Sequence, residues 1–258
     1  MNINKMKKIL VLLLLVCVAE GCLAKVKLPA LVSDGMVLQC NRPLTIWGFA
    51  DPNEAVRVTF QKQVYNVHAD AAGKWQVELP SMKSGGPYEM QINDLTLRDI
   101  LIGDVYLCSG QSNMELPVRR VTDLFADEIR HDANEQIRHI KIPLVYDFHA
   151  PLQDVLPASW KRLTPENALD FSAVAYFFAK ELYARTKRPI GLINASVGGS
   201  PVEAWMSEDA LQPFPQPLSD LRICQDDDYV KAEKAMDAQR RNTWNDVLYR
   251  TPSPQSEW

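Results

Sequence analysis

The stretch Ile100-Leu101-Ile102-Gly103-Asp104-Val105-Tyr106-Leu107-Cys108 constrains the fold more than any other part of the chain. A near-continuous apolar run of this length reads as a strand covered on both faces, the kind found in the interior of a parallel sheet. It runs directly into Ser109-Gly110-Gln111-Ser112. Further on, Ser172 is placed to cap a helix whose Ala175, Phe178, Ala179 and Leu182 fall at helical spacing, and Arg185 and Pro189 mark its end. A second buried strand, Ile190-Gly191-Leu192-Ile193-Asn194-Ala195-Ser196, then leads into Gly198-Gly199. Strand, helix, strand is the grammar of a parallel α/β sheet.

Ahead of that run the grammar differs. Between Val26 and about Arg98 short β segments alternate with turns: Leu44-Thr45-Ile46-Trp47-Gly48, Ala55-Val56-Arg57-Val58-Thr59-Phe60 and Trp75-Gln76-Val77-Glu78-Leu79. The second and third follow the period of two expected of half-buried strands. Asp51-Pro52-Asn53, Asp70-Ala71-Ala72-Gly73 and Ser84-Gly85-Gly86-Pro87 supply the turns. An N-terminal β-sandwich over residues 25–98 is expected, followed by a parallel-sheet domain over 99–225 and a charged, helix-prone segment over 226–258. In that last segment Ala232, Ala235, Met236, Gln239 and Trp244 form only a partial apolar face.

Composition narrows the function classes. With 47% hydrophobic and 23% charged residues the chain is of ordinary globular type, and a net charge of -4 offers no basic footprint for nucleic acid. Lys5, Lys7 and Lys8 precede an apolar run from Ile9 to Ala19 that is shorter than the ~18–20 residues of a membrane span, the pattern of a secretory signal. Residues 1–24 are therefore read as a leader cleaved after Ala24, giving a periplasmic or extracellular protein with no transmembrane segment; lipid attachment at Cys22 is the competing exit. Cys40, Cys108 and Cys224 have no metal-like spacing and make no disulfide framework, and no metal or cofactor motif is present.

The chemistry centres on Ser112. A serine hydroxyl attacks an ester when it is exposed, faced by a base, and flanked by donors for the oxyanion. The carboxyl end of a parallel strand provides the exposure, and Gly110 permits a tight strand exit. Asn113 and Met114 follow the serine, so this is not the Gly-x-Ser-x-Gly elbow. By spacing alone a serine after a glycine in a loop is usually only a turn or helix cap.

The run Gly110-Gln111-Ser112-Asn113-Met114, with Glu115 and Pro117 after it, resembles the first block of the SGNH hydrolases, in the form used by the sialate O-acetylesterase and acetylxylan esterase group. Leu31-Val32-Ser33-Asp34-Gly35-Met36-Val37-Leu38-Gln39, Gly73-Lys74-Trp75, the stretch from Ile102 to Ser109, and the stretch from Gly191 to Trp205 are similar to that family too, in the same order. The resemblance implies an α/β chain: a β-sandwich followed by the first part of an SGNH-type, flavodoxin-like hydrolase domain. It also implies a metal-independent serine esterase that removes acetyl groups from sialic acid. Ser112 would be the nucleophile and, through its backbone N–H, an oxyanion donor. Gly198 or Gly199 would give the second donor, and Gln111, Asn113 and Glu203 would position substrate. For Gln111 and Asn113 bracing of the loop remains open, for the glycines a plain turn, and for Glu203 and Trp205 a helix cap and a core tryptophan.

Two elements of the family pattern do not occur in the sequence, a Gln-Gly-Glu-Ser-Asn-like segment and the Asp-x-x-His that supplies the base. His68, His131, His139 and His149 lack that context, so each is open to recruitment or to a solvated or structural role. A C-terminally truncated chain of low activity is expected, with an exposed sheet edge. Three readings follow: a sialate O-acetylesterase, an acetylesterase of xylan or another plant glycan, or a non-catalytic carbohydrate-binding remnant.

Overall fold

A computed structural model describes residues 26–250. The leader-like segment with Cys22 and the C-terminal Pro254-Gln255-Ser256-Glu257-Trp258 lie outside them.

The alternating segments form strands where the period of two places them. In chain order these are β1 (Val37–Gln39), β2 (Leu44–Phe49), β3 (Ala55–Phe60), β4 (Gln63–His68), β5 (Lys74–Leu79), β6 (Gly85–Ile92), β7 (Leu95–Gly110), β8 (Asn134–Lys141), β9 (Lys161–Leu163) and β10 (Ile190–Ser196). The helices are α1 (Ser112–Glu115), α2 (Thr122–Arg130), α3 (Pro165–Ala168), α4 (Ala173–Thr186), α5 (Glu208–Leu211), α6 (Pro215–Cys224) and α7 (Asp227–Arg250). The fold is mixed α/β. The main sheet runs β4-β3-β6-β7-β10-β8-β9 with β1 added beside β7, and β2 and β5 pair separately as an antiparallel ribbon.

β7 is the spine. It continues unbroken through the change of pattern at Arg98. Its first half pairs antiparallel with β6, and Leu101–Gly103 pair in parallel with β1. From Asp104 to Gly110 its partner is β10, in parallel, and β10 in turn pairs in parallel with β8.

Two cores result. The first gathers the inward residues of the ribbon (Leu44, Ile46, Trp75, Val77 and Leu79) with Val56, Val58 and Phe60 of β3 and Ile100 and Ile102 of β7. The second lies between the parallel strands and α4, around Ile137, Ile190, Leu192, Phe171, Tyr176 and Ala179. Helix α4 begins as expected: the Ser172 hydroxyl accepts a bond from the Ala175 amide at 3.2 Å, and Lys187 ends the helix in a left-handed conformation.

Three expectations need correction. The apolar run of β7 is buried on both faces only from Ile100 to Gly103; Leu107 is 69% exposed. Beyond Gly103 no strand among the described residues pairs with the side of β7 opposite β10, so the face and edge there stay open. Phe178, expected on the buried face of α4, is exposed and packs edge-on against Tyr106 at 5.0 Å. The strand β8 has no counterpart in the sequence reading, because its centre is polar: Arg138 and His139 are both buried.

The chain divides into two compact units, the first ending at Pro143 and resuming over Asp154–Gly198, the second comprising Leu144–Gln153 and the residues from Gly199 onward. The second unit is helical. In it Arg222 pairs with Glu208, His149 Nε2 meets Asp227 Oδ1 at 3.0 Å, and Met236 and Trp244 on α7 remain exposed. No helix among the described residues is long and apolar enough to cross a membrane.

Candidate active site

Three parallel strands end on one edge of the first unit: β7 at Gly110, β10 at Ser196 and β8 at Lys141. This carboxyl edge is where open α/β sheets present their ligand crevices. Gly110 leaves β7 with φ +138°, a backbone conformation that L side chains rarely adopt, and so allows the chain to turn directly into α1. Gln111, Ser112 and Asn113 are all exposed at the turn.

The turn is held on both sides by the backbone. The Val197 amide donates to the Gly110 carbonyl at 2.9 Å, Ala173 to Leu116 at 2.8 Å, and Val118 to Phe171 at 2.9 Å. The Gln111 carbonyl accepts from the Glu115 amide at 2.9 Å. Its side chain makes no capping bond to α1.

Gly198 stands beside Ser112. A Cβ on Gly198 would lie 3.7 Å from the Ser112 Cα and 2.5 Å from Glu115 Oε2, so the two loops approach closely here and a side chain would have to displace the Glu115 carboxylate. The Gly198 amide donates to Glu115 Oε2 at 2.5 Å. The backbone donor that the sequence reading assigns to an oxyanion is thus turned toward the Ser112 loop, and here it is occupied by a carboxylate. Gly199 has φ +77° and no atom within 4 Å of where its Cβ would be, so backbone conformation rather than close approach accounts for it. Gly199, Glu203 and Trp205 belong to the second compact unit, where the Trp205 indole N–H donates to Ser200 Oγ at 2.9 Å. Glu203 and Trp205 both lie in a short 3-10 turn, Val202–Trp205; Trp205 is 44% exposed and so is not a core tryptophan.

No histidine among the described residues hydrogen-bonds the Ser112 hydroxyl. His68 is exposed on β4, and His131 Nδ1 meets the Asp127 carbonyl at 3.0 Å at the end of α2. His139 is buried in β8 and stacked on Phe171 at 4.4 Å, its Nε2 without a hydrogen-bond partner among the described residues. Burial, helped by the nearby Lys141 and Lys161, pushes the His139 pKa down to about 4, so the ring is neutral at ordinary pH. His149 is raised by its bond to Asp227. Asn194-Ala195-Ser196 has the Asn-x-Ser pattern of a glycosylation acceptor, but Asn194 and Ser196 are buried, with Asn194 Oδ1 accepting from the amide of Ser196 at 3.1 Å and from its hydroxyl at 2.5 Å. Cys40, Cys108 and Cys224 are free thiols.

The sequence reading missed the part played by Glu115. Besides taking the Gly198 amide, its other oxygen lies 3.9 Å from Lys141 Nζ, which links the ends of all three parallel strands. Glu115 sits within the Ser112 block, but nothing in local spacing reveals that it meets a glycine 83 residues further on.

Residues 102–236 match the family described as carbohydrate esterase, sialic acid-specific acetylesterase. The human sialate O-acetylesterase is 35% identical over 205 residues, covering 70% of this chain and 39% of that protein. The rat sialate O-acetylesterase is 32% identical over 227 residues, covering 79% and 42% respectively. A crystal structure of a carbohydrate acetylesterase from Xanthomonas citri superposes with a TM-score of 0.68 at 42% identity, covering 72% of this chain and 43% of that one. The chain therefore spans about two fifths of the length of the curated relatives it matches.

Proposed function

The chain belongs to the carbohydrate esterases of the sialic acid-specific acetylesterase family, and from that premise we propose that it carries the nucleophile end of an O-acetylesterase acting on acetylated sialic acid. Ser112 attacks the acetyl carbonyl as its hydroxyl proton passes through solvent to the departing sugar oxygen; the Ser112–acetyl bond forms as the acetyl–sugar C–O bond breaks, and water then cleaves the Ser112 ester, releasing acetate and restoring the hydroxyl. The observation that carries this reading is the meeting of an exposed serine, at the carboxyl end of a parallel strand, with a glycine amide from the next strand's exit.

In this reading the Ser112 and Gly198 amides face the oxyanion, and Glu115 gives up the Gly198 donor when substrate enters. Gln111 and Asn113 brace the loop. The β-rich residues up to about Arg98 act as a sandwich-like support, and the Lys-rich start followed by an apolar run directs export. Turnover by this chain alone is slow, because no histidine among the described residues reaches Ser112 to take its proton. Acetylated xylan, pectin or another plant glycan is the competing substrate, consistent with a solved relative described only as a carbohydrate acetylesterase.

Acylation tests the assignment directly. Long incubation with an activated acetyl ester should place an acetyl group on the Ser112 peptide, seen by mass spectrometry and lost in Ser112→Ala. Fast acetate release unaffected by Ser112→Ala would overturn it.

A further inference from the structure

A cavity of about 420 Å³ opens at the carboxyl edge of the parallel strands without including Ser112. Its volume is within the ~300–1,000 Å³ range of small-molecule sites. Its walls carry three cations, Arg119, Lys141 and Lys161, and one carboxylate, Asp170. Asp170 pairs with Arg119 and lies 3.8 Å from Lys161, while Lys141 is 3.9 Å from Glu115, itself engaged by the Gly198 amide. Three cations thus share two carboxylates, and positive charge is in excess.

Topology makes this a shared wall rather than a scatter of surface lysines. His139 and Lys141 are two apart on β8 and so project to one face, and Lys161 is the register partner of His139 on β9. The low pKa of His139 reports the same field from inside the wall: after burial, its causes are Lys141 and Lys161.

We propose that this cavity is the carboxylate subsite of the esterase, taking the acid group of an acidic sugar of the sialic acid class on Arg119, Lys141 and Lys161. The proposal rests on the acetylesterase reading of Ser112 and adds what selects the substrate. A guanidinium fork matches a carboxylate in two parallel bonds, and the lysines add charge without demanding direction. A neutral acetylated xylose unit has no group that would use this charge.

The distance to the nucleophile suits such a ligand. Asn194 on β10 pairs with Cys108 on one side and Lys141 on the other, which sets Lys141 two strand spacings, about 10 Å, from the row of Cys108 on β7. Ser112 lies just beyond that row, and the path from it to the cavity runs through Gly198, Glu115 and Lys141. The subsite therefore favours a sugar acid whose acetyl ester sits at the end far from its carboxylate.

Calorimetric titration of the chain with N-acetylneuraminate, its methyl ester and inorganic phosphate tests the subsite without requiring turnover. The acid should bind, and methyl esterification, Arg119→Gln or Lys161→Gln should each weaken it about tenfold, the size of one charge-assisted bond. Both side chains are exposed at the cavity rim, and matching thermal melts establish that the variants fold. Equal binding of acid and methyl ester, equal binding of phosphate, or no binding of the acid would overturn the proposal. Acetylation of Ser112 is read separately. Labelled Ser112 without acid selectivity sinks the subsite and leaves the esterase, whereas acid binding without labelling does the reverse.

Discussion

In the first half of β7, Ile100, Leu101 and Ile102 have no exposed surface, whereas Leu107, five residues past Ile102 in the same strand, is 69% exposed. The first half belongs to the β-rich core, flanked by β6 and β1, and its interior is almost wholly apolar. The second half belongs to the parallel sheet, which is open on one edge and keeps Asn194 and Ser196 buried near its carboxyl end, with Arg138 and His139 in β8. The contrast teaches where each kind of free energy is spent. Apolar burial stabilises the first region by about 25 cal/mol per Å². In the second, polar groups are kept out of water at a cost and end beside an exposed serine, the arrangement expected where binding rather than stability sets the residues.

The largest test of that contrast is the ion pair that ties the two regions. Arg138 on β8 is 2% exposed and donates two bonds to Asp99 on β7, at 2.7 and 3.0 Å, one to the Gly35 carbonyl at 3.2 Å and one from Nε to the Glu135 carbonyl at 2.7 Å. Arg138 holds the Asp99 carboxyl below its usual pKa. Asp99→Asn keeps the shape and leaves a buried guanidinium unmatched, so a loss of about 3–5 kcal/mol is expected in urea unfolding. A loss below about 1 kcal/mol would mean that Glu135 and Gly35 carbonyls suffice to hold the charge.

One substitution made twice in β7 probes the two halves. Leu101→Ala should cost about 2–5 kcal/mol because it opens a cavity in a closed core, and Leu107→Ala should stay within about 0.5 kcal/mol. Similar costs at both positions would show that the outer face of Leu107 is covered in solution.

Acidification should act on the second region through His139. Its folded pKa of about 4 lies below the ordinary 6.5, so the unfolded chain binds the proton more readily between those values. The stability it contributes is complete above pH 6.5 and is lost as pH falls toward 4, by about 3 kcal/mol. Comparing unfolding midpoints of the chain and His139→Gln across that window isolates the term; parallel curves would refute it.

At Gly198 the expected effect on stability is small and the informative readout is chemical. A methyl there meets the Glu115 carboxylate, the far end of a side chain able to swing aside, so Gly198→Ala should cost less than about 1 kcal/mol. Acetylation of Ser112 should nevertheless fall, since the added methyl crowds the donor; unchanged labelling would remove Gly198 from the oxyanion site.

Much of this was legible locally. Alternation located β3 and β5 and turn punctuation located β2, each to within a residue, and the Ser172 cap and the apolar spacing after it located α4, because all are set by neighbours a few residues apart. β8 was not legible: Asn134-Glu135-Gln136-Ile137-Arg138-His139-Ile140-Lys141 has the composition of a solvated segment. It is a strand because β10 and β9 supply its hydrogen bonds and Asp99 neutralises its arginine. Leu107 failed in the opposite direction, since an apolar run records that a residue can be covered, not that a neighbour is there to cover it.

By itself the sequence determined the strand through Cys108, the serine shortly after it and the family to which both belong. Tertiary structure alone decided that Gly198 stands against Ser112, that Glu115 occupies its amide, and that Lys141 and Lys161 gather with Arg119 around one cavity. These meetings join segments tens of residues apart, and they are set by the parallel register of β7, β10 and β8 and the antiparallel register of β8 and β9, which no local pattern encodes.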